Sequence, residues 1–266
     1  MVSAIATGGW LAFAHVMVNV RKWQAMTHAF HESPAWLARA CVVVPAFDAE
    51  KTLGAVVRDL RAQIPELESN IVVVDDGSRD RTAAVAKELG CELISHGRNR
   101  GKGAALRTGF ATALACNREV ALTVDADGQH PGGEARRVLL ASTHPGSLVL
   151  GIRDLDRAGA PKQNQMSNGI SNFFLSRFAG VRLLDTQCGL RRYPIQRTLA
   201  LGARGDGFDF EGEVLLRAAW DGVPIVEESI LVLYPEDRVT HFRVPRDPWR
   251  IIRTVVAALG ERAMQA

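Results

Sequence analysis

Ile71-Val72-Val73-Val74-Asp75-Asp76-Gly77-Ser78 is a run of four β-branched residues that stops at two carboxylates and a glycine. An apolar run without alternation marks a strand buried on both faces. The same pattern recurs on either side of it. Upstream, Cys41-Val42-Val43-Val44-Pro45 is a short buried run that ends at a proline; downstream, residues 120–124 end at Asp125-Ala126-Asp127. Helical stretches separate these runs. Leu53, Val56, Val57, Leu60 and Ile64 recur at helical spacing before Pro65. Residues 82–89 read as a helix and 91–95 as a further strand. A loop of Gly, Arg and Asn over 97–103 leads into a helix through 104–116. Strand and helix thus alternate four times, which predicts an α/β fold with a mainly parallel sheet flanked by helices. In such sheets ligands sit beyond the carboxyl ends of the strands. Both acidic clusters fall there.

The second half is less regular. Residues 148–152 and 225–233 read as strands, and 167–178, 213–220 and 248–259 as helices. A polar loop is expected over 153–165. With no internal repeat and no Pro/Gly/Ser linker, the expected organisation is an extension over 1–38, one domain over 39–245 and a basic amphipathic helix over 246–266. The extension is moderately apolar from Val2 to Val20 but holds His15, Asn19 and Gly8-Gly9. It barely meets the ~20 apolar residues of a membrane span and lacks the features of a signal peptide. It reads as an amphipathic surface helix or a loose extension, with a weak membrane anchor as the alternative.

The 266 residues are 47% apolar and 23% charged, as a folded globular chain requires, and the formal charge of +3 argues against a dedicated nucleic-acid partner. Cys41, Cys91, Cys116 and Cys188 form no CxxC pair. Three of the four sit in apolar or helical runs and read as buried thiols of a reducing cytosol.

Three segments carry chemistry. Asp125-Ala126-Asp127 puts two carboxylates one residue apart past a buried strand, an arrangement suited to Mg²⁺ or Mn²⁺, with Gln129 able to add an oxygen. Strand ends also carry Asp for solubility or to cap a turn. Asp76 and Gly77 fit either a nucleoside-binding turn or an ordinary Asp-Gly turn before a helix. Asn99-Arg100-Gly101-Lys102-Gly103 fits either a phosphate-facing helix N-terminus or a solvated basic loop. It lacks the Walker A spacing.

In order along the chain, Val42 to Glu50, Val72 to Ser78, Arg100 to Gly103 and Val124 to Pro131 resemble the nucleotide-sugar-binding half of family-2 glycosyltransferases with the GT-A fold. Polyprenyl-phosphate mannosyl- and glucosyltransferases, and bacterial lipid or polyene glycoconjugate transferases, share the pattern. The resemblance spans roughly residues 40–195. It implies that Pro45, Ala46 and Phe47 line the base pocket and that Asp76, beside Gly77, contacts the nucleoside. Lys102 and Gly103 would lie along the nucleotide. Asp125, Ala126 and Asp127 would meet the diphosphate, the two carboxylates holding the metal with Gln129. Phe47-Asp48-Ala49-Glu50 departs from the common Tyr-Asn-Glu version.

Further on, Gly151-Ile152-Arg153-Asp154 and Asp185 to Arg191 also resemble family segments, implying an acceptor-phosphate role for Arg153 and Arg191, whose planar forks match phosphate oxygens. The other reading of Arg153 pairs it with Asp154 or Asp156. In Phe208-Asp209-Phe210-Glu211, Asp209 and Glu211 are candidates for a general base; a phosphate acceptor needs none, and the carboxylates would then organise the site. His241 is either a metal ligand or a surface histidine. The implied enzyme is a metal-dependent, inverting glycosyltransferase. It takes a UDP- or GDP-linked sugar to a lipid-linked or polyprenyl-phosphate acceptor, in the cytoplasm and in peripheral contact with the inner membrane face. Arg246, Arg250, Arg253 and Arg262 flank an apolar stripe that serves either the core or an anionic membrane. A non-catalytic nucleotide-sugar-binding module and a nucleotidyltransferase are the alternatives; an oxidoreductase is weaker, for want of a GxGxxG after the first strand.

Overall fold

The computed structural model describes residues 33–233 and 246–265. Seven strands, β1 (Ala40–Ala46), β2 (Ile71–Asp75), β3 (Glu92–Ser95), β4 (Val120–Thr123), β5 (Leu148–Arg153), β6 (Arg191–Pro194) and β7 (Ile225–Ile230), form one sheet. Their order is β3-β2-β1-β4-β6-β5-β7. β1, β2 and β4 are buried at almost every position, because helices cover both faces of this part of the sheet. β1 pairs in parallel with β2 and β4, and β2 with β3. The expected α/β architecture is therefore present, with its first four strands placed within a residue or two of their predicted positions.

Among the described residues eight α-helices accompany the strands: α1 (Leu53–Gln63), α2 (Thr82–Glu88), α3 (Lys102–Ala115), α4 (Gly132–Leu140), α5 (Lys162–Ala179), α6 (Ile195–Ala200), α7 (Asp209–Trp220) and α8 (Arg246–Gln265). Four differences from the sequence expectations matter. α4 and α6 were not anticipated. α5 begins five residues before its predicted start, inside the expected polar loop. α7 begins at Asp209 rather than Glu213, which moves both acidic candidates into its first turn. Last, β6 was missed: Arg191-Arg192-Tyr193-Pro194 looks like a polar loop, yet it runs antiparallel between β4 and β5.

β6 is possible because its arginines are satisfied within the protein. Arg191 donates to the carbonyls of Cys188, Thr186 and Glu211. Arg192, which alternates to the other face, donates to those of Leu139, Ser142 and His144. Neither residue is exposed, so buried guanidinium groups hold the loops on each side of the sheet. Tyr193, on the same face as Arg191, packs on Phe110 of α3, their ring centroids 5.1 Å apart, and Phe110 in turn meets Phe210 of α7 at 6.4 Å.

The described residues from Ala38 on form one compact unit, and Ser33–Leu37 fall outside it. α8 belongs to the first, burying Val255 and Ala258 and donating from the Thr254 hydroxyl to Asp209 at 3.0 Å. Cys41 and Cys188 are buried as expected, and burial pushes both thiols up to about 12, which keeps them inert. Cys91 is half-buried and Cys116 exposed, against the expectation of buried thiols. No helix among the described residues is long and apolar enough to cross a membrane.

Candidate active site

The carboxyl edge of the parallel strands is built by interlocking turns. The N–H of Asp48 donates to Ser78 Oγ, while Asp48 accepts from the Arg79 N–H. Ala49 donates to Thr82 Oγ1, Glu50 donates to Asp80, and Glu50 in turn accepts from the Arg81 N–H. The turns after β1 and β2 are thus locked together beside Pro45, Ala46 and Phe47. Ala46 is buried and accepts from the Asp76 N–H at 2.8 Å; Pro45 and Phe47 are half-buried at this edge.

Asp76 organises the loop that follows β3. Its carboxylate is buried and accepts from His96 Nδ1 at 2.7 Å and from the N–H groups of Arg100 and Gly101 at 2.9 and 2.8 Å. It therefore anchors the loop before α3 from beneath. Gly77 lies against that loop at a φ of +75°, and a Cβ there would come within 2.4 Å of the Arg98 backbone. Gly103 also faces protein: a Cβ would sit 2.5 Å from Gly205 O. The first turn of α3 is in addition capped by the carbonyl of Asp206, which accepts from the Ala104 N–H. Gly103 therefore packs on the segment before α7.

With the loop so fixed, Lys102 enters the site. Its ammonium lies 2.7 Å from Asp125 Oδ1 and 3.1 Å from Glu211 Oε2, with the Phe208 ring centroid 5.7 Å away. Three elements distant in sequence, α3, the exit of β4 and the first turn of α7, meet at this cation. Burial alone would lower the Lys102 pKa, but Asp125 and Glu211 more than offset it and raise it above the usual lysine value. Burial likewise opposes ionisation of Asp125, and the Lys102 charge overrides it to hold that carboxyl below its ordinary range. Gly189 completes the packing. A Cβ there would stand 2.3 Å from Asp125 Oδ2 and 2.6 Å from Lys102 Nζ.

Asp127 behaves oppositely. Burial, together with the adjacent Asp125 charge, pushes its carboxyl up to about 6, even though Oδ1 accepts from the Gln129 N–H at 3.0 Å. Ala126 between them is buried. Two crowded carboxylates, one already held by Lys102, suit a hard divalent cation that accepts oxygen ligands. Among the described residues no three His, Cys, Asp or Glu side chains form a metal cluster. Asp125 and Asp127, with Gln129 nearby, are the oxygen donors that the described residues bring together here. His241 lies outside the described residues.

On the far side of β4, Arg153 at the end of β5 makes a two-pronged pair with buried Asp185, at 2.7 and 3.0 Å, rather than with Asp154 or Asp156. Burial lowers the pKa of neighbouring His130 to about 4. Two further candidates have their polar atoms engaged by protein partners. Arg191 is fully buried and donates to three backbone carbonyls, so it supports the site from within and does not present itself to an acceptor phosphate. Asp209 spends its carboxylate on the Gly207 N–H at 3.0 Å and the Thr254 hydroxyl, tying α7 to α8. Glu211 is the acidic residue of that turn that faces Lys102. Asp185, Gly189 and His130 stood in the quoted motifs, but only their spatial neighbours reveal what they do.

Comparison with known proteins gives this arrangement a family. The model of Glycosyl transferase family 2 matches residues 41–195. An uncharacterized protein of Methanocaldococcus jannaschii is 33% identical over 201 residues, which cover 73% of this chain and 82% of that one. The UDP-N-acetylglucosamine–dolichyl-phosphate N-acetylglucosaminyltransferase of Methanococcus voltae is 28% identical over 218 residues, covering 73% and 86%. Among solved structures, glucosyl-3-phosphoglycerate synthase from Mycobacterium tuberculosis, in complex with Mn²⁺, UDP and phosphoglyceric acid, shares the fold with a TM-score of 0.63. The two are 20% identical, and the alignment covers 87% of this chain and 84% of that one. The chain belongs to the family-2 glycosyltransferases and has their GT-A fold.

Proposed function

We propose that this glycosyltransferase is metal-dependent and inverting, and that it moves a sugar from a UDP- or GDP-linked donor to a lipid-linked or polyprenyl phosphate. The observation that carries the reading is the meeting of Lys102, Asp125 and Glu211 at the carboxyl edge of the parallel strands. The dolichyl-phosphate substrate named for the Methanococcus relative supports the acceptor class, and the Mn²⁺ and UDP named for the solved synthase support the donor side.

Asp125 and Asp127, with Gln129, would hold Mg²⁺ or Mn²⁺, which supplies charge to offset the negative charge growing on the departing diphosphate. Lys102 adds a fixed positive charge beside the same group. In the transfer an acceptor oxygen forms the new bond to the anomeric carbon from the face opposite the diphosphate. The old carbon–oxygen bond breaks, and its electron pair leaves with the nucleoside diphosphate. A phosphate acceptor is already ionised near neutral pH, so no proton has to be removed. Glu211 then orients Lys102 through Oε2, and its buried Oε1, which has no hydrogen-bond partner among the described residues, accepts from a sugar hydroxyl. Arg153, oriented by Asp185, is the acceptor-side cation. The protein acts on the cytoplasmic side, in peripheral contact with the membrane.

Thermal-shift titration with UDP- and GDP-sugars, with and without Mn²⁺, tests the donor half. A metal-dependent rise with one nucleotide is expected, and it should vanish in Asp127→Ala. No rise with any of them would overturn the reading, while a rise without any transfer activity would favour an inactive binding module. Arg153→Ala should raise the KM for a polyprenyl phosphate about tenfold or more, leaving the donor shift intact.

A further inference from the structure

α5 is built inside out. Its inward side is polar: Asn168 is buried, Ser171 bonds Thr186 at 2.7 Å, Asn172 bonds Leu184 and Thr186, and Ser176 bonds Leu183. These contacts, together with buried Leu175, fix the rotation of the helix. The apolar residues consequently face outward. Met166, Ile170, Phe173, Phe174 and Phe178 follow i, i+4, i+7, i+8, i+12 spacing along one face. Phe173 is 68% exposed and Met166 65%, with Phe173 and Phe174 edge-to-face at 5.4 Å. Val181 and Leu184 extend the patch beyond the helix. A monomer surface rarely concentrates large apolar side chains in this way without a partner.

Charge identifies the partner. From residue 157 to residue 184 the chain carries Arg157, Lys162, Arg177 and Arg182 and no Asp or Glu at all. All four cations are exposed. Aromatic side chains framed by exposed cations match a bilayer surface, with acyl chains to receive the rings and anionic headgroups to meet the charges. The patch also adjoins the acceptor side of the site, because Thr186, held by Ser171 and Asn172, directly follows Asp185, the partner of Arg153.

We infer that the outward face of α5 docks the enzyme on an anionic lipid surface. The contact deepens the peripheral-membrane element of the proposed function and places the lipid beside Arg153. It does not depend on which sugar is transferred.

The test is co-sedimentation of the full chain with phosphatidylcholine vesicles, with and without phosphatidylglycerol, read against sedimentation velocity without lipid. Wild-type protein should prefer the anionic vesicles and release them in high salt. The double substitution Phe173→Ser/Phe174→Ser should lower the partition coefficient about tenfold or more. Lys162→Gln/Arg177→Gln/Arg182→Gln should erase the preference for anionic lipid. Leu114→Ser, an exposed apolar position near the C-terminal end of α3, should change neither. Because the Phe pair is exposed, the melting temperature and the nucleotide-induced shift should stay at wild-type values, which separates failed docking from failed donor binding. Equal vesicle binding by wild type and the Phe double variant would overturn the inference. So would absence of binding by wild type, or lipid-free self-association that the double substitution abolishes.

Discussion

At the carboxyl edge of β1 and β2, neighbouring turns hold one another through short hydrogen bonds between Asp48, Glu50, Ser78, Asp80 and Thr82. Around β5 and β6, by contrast, three long guanidinium side chains do the holding: Arg153 to Asp185, Arg191 to three carbonyls, Arg192 to three others. Both sides form only on folding, but the first is tied by backbone N–H groups to short carboxylate and hydroxyl side chains of two adjacent turns, and the second by arginines that satisfy loop carbonyls and one buried carboxylate. Lys102 sits at the junction, tied to Asp125 of the first side and Glu211 of the second. On the function proposed above, a fixed donor platform next to a surface assembled by arginines would let the two substrates be recognised by structurally separate means.

Lys102→Met would break the junction and should have the largest effect. It leaves Asp125 and Glu211 buried without their cation, which costs about 3–5 kcal/mol of stability, and transfer should fall at least ~10³-fold. Urea denaturation and a transfer assay read the two losses; near-normal turnover would show that the sides are independent. Gly189→Ala tests the same contact from the β6 side. Its methyl must push the Lys102–Asp125 pair apart, so turnover should drop about 10²-fold with the fold retained. A wild-type rate would mean that the loop can yield.

Asp127→Asn sharpens the comparison on the donor side alone. The folded carboxyl titrates at about 6, above its ordinary 3.8, so its protonated form is favoured in the folded state. That contribution is complete below about pH 4 and is lost as pH rises through 6. Above 6 the ionised side chain crowds Asp125. The substitution should thus stabilise metal-free protein by about 1–3 kcal/mol at pH 8 and not at pH 4, while abolishing any stabilisation by Mn²⁺. An equal effect at both pH values would show that Asp125 does not crowd it. The smallest effect belongs to Asp209→Asn. It should cost about 1 kcal/mol of stability through the weakened tie to Thr254 and leave turnover unchanged; a lost rate instead would return Asp209 to the chemistry.

The same contrast explains what the chain disclosed before folding. Val42–Val44, Val72–Val74 and the acidic ends after them could be read because each strand and its turn are contiguous. Lys102, Asp125 and Glu211 could each be picked out, but nothing in their spacing says that one lysine serves both carboxylates. β6 escaped because two arginines in four residues look solvated until carbonyls from two other loops satisfy them. The early start of α5 escaped for a related reason: its polar side faces inward, so the usual apolar signal points the wrong way. Asp209 and Arg191 carried the right chemistry for the roles expected of them, and their buried partners assign them to support.

β6 also has a consequence for how the chain is made. It pairs on one side with β4 and on the other with β5, yet it is synthesised after both. A nascent chain that ends before Arg191 leaves β4 with one open edge and β5 without either of its sheet neighbours, β6 and β7. The middle of the sheet is therefore the last part of it to close on the β4 side, and spatial order runs against synthesis order there. The interval between translation of β5 and insertion of β6 is when this enzyme is most open to wrong pairing, and most in need of a chaperone.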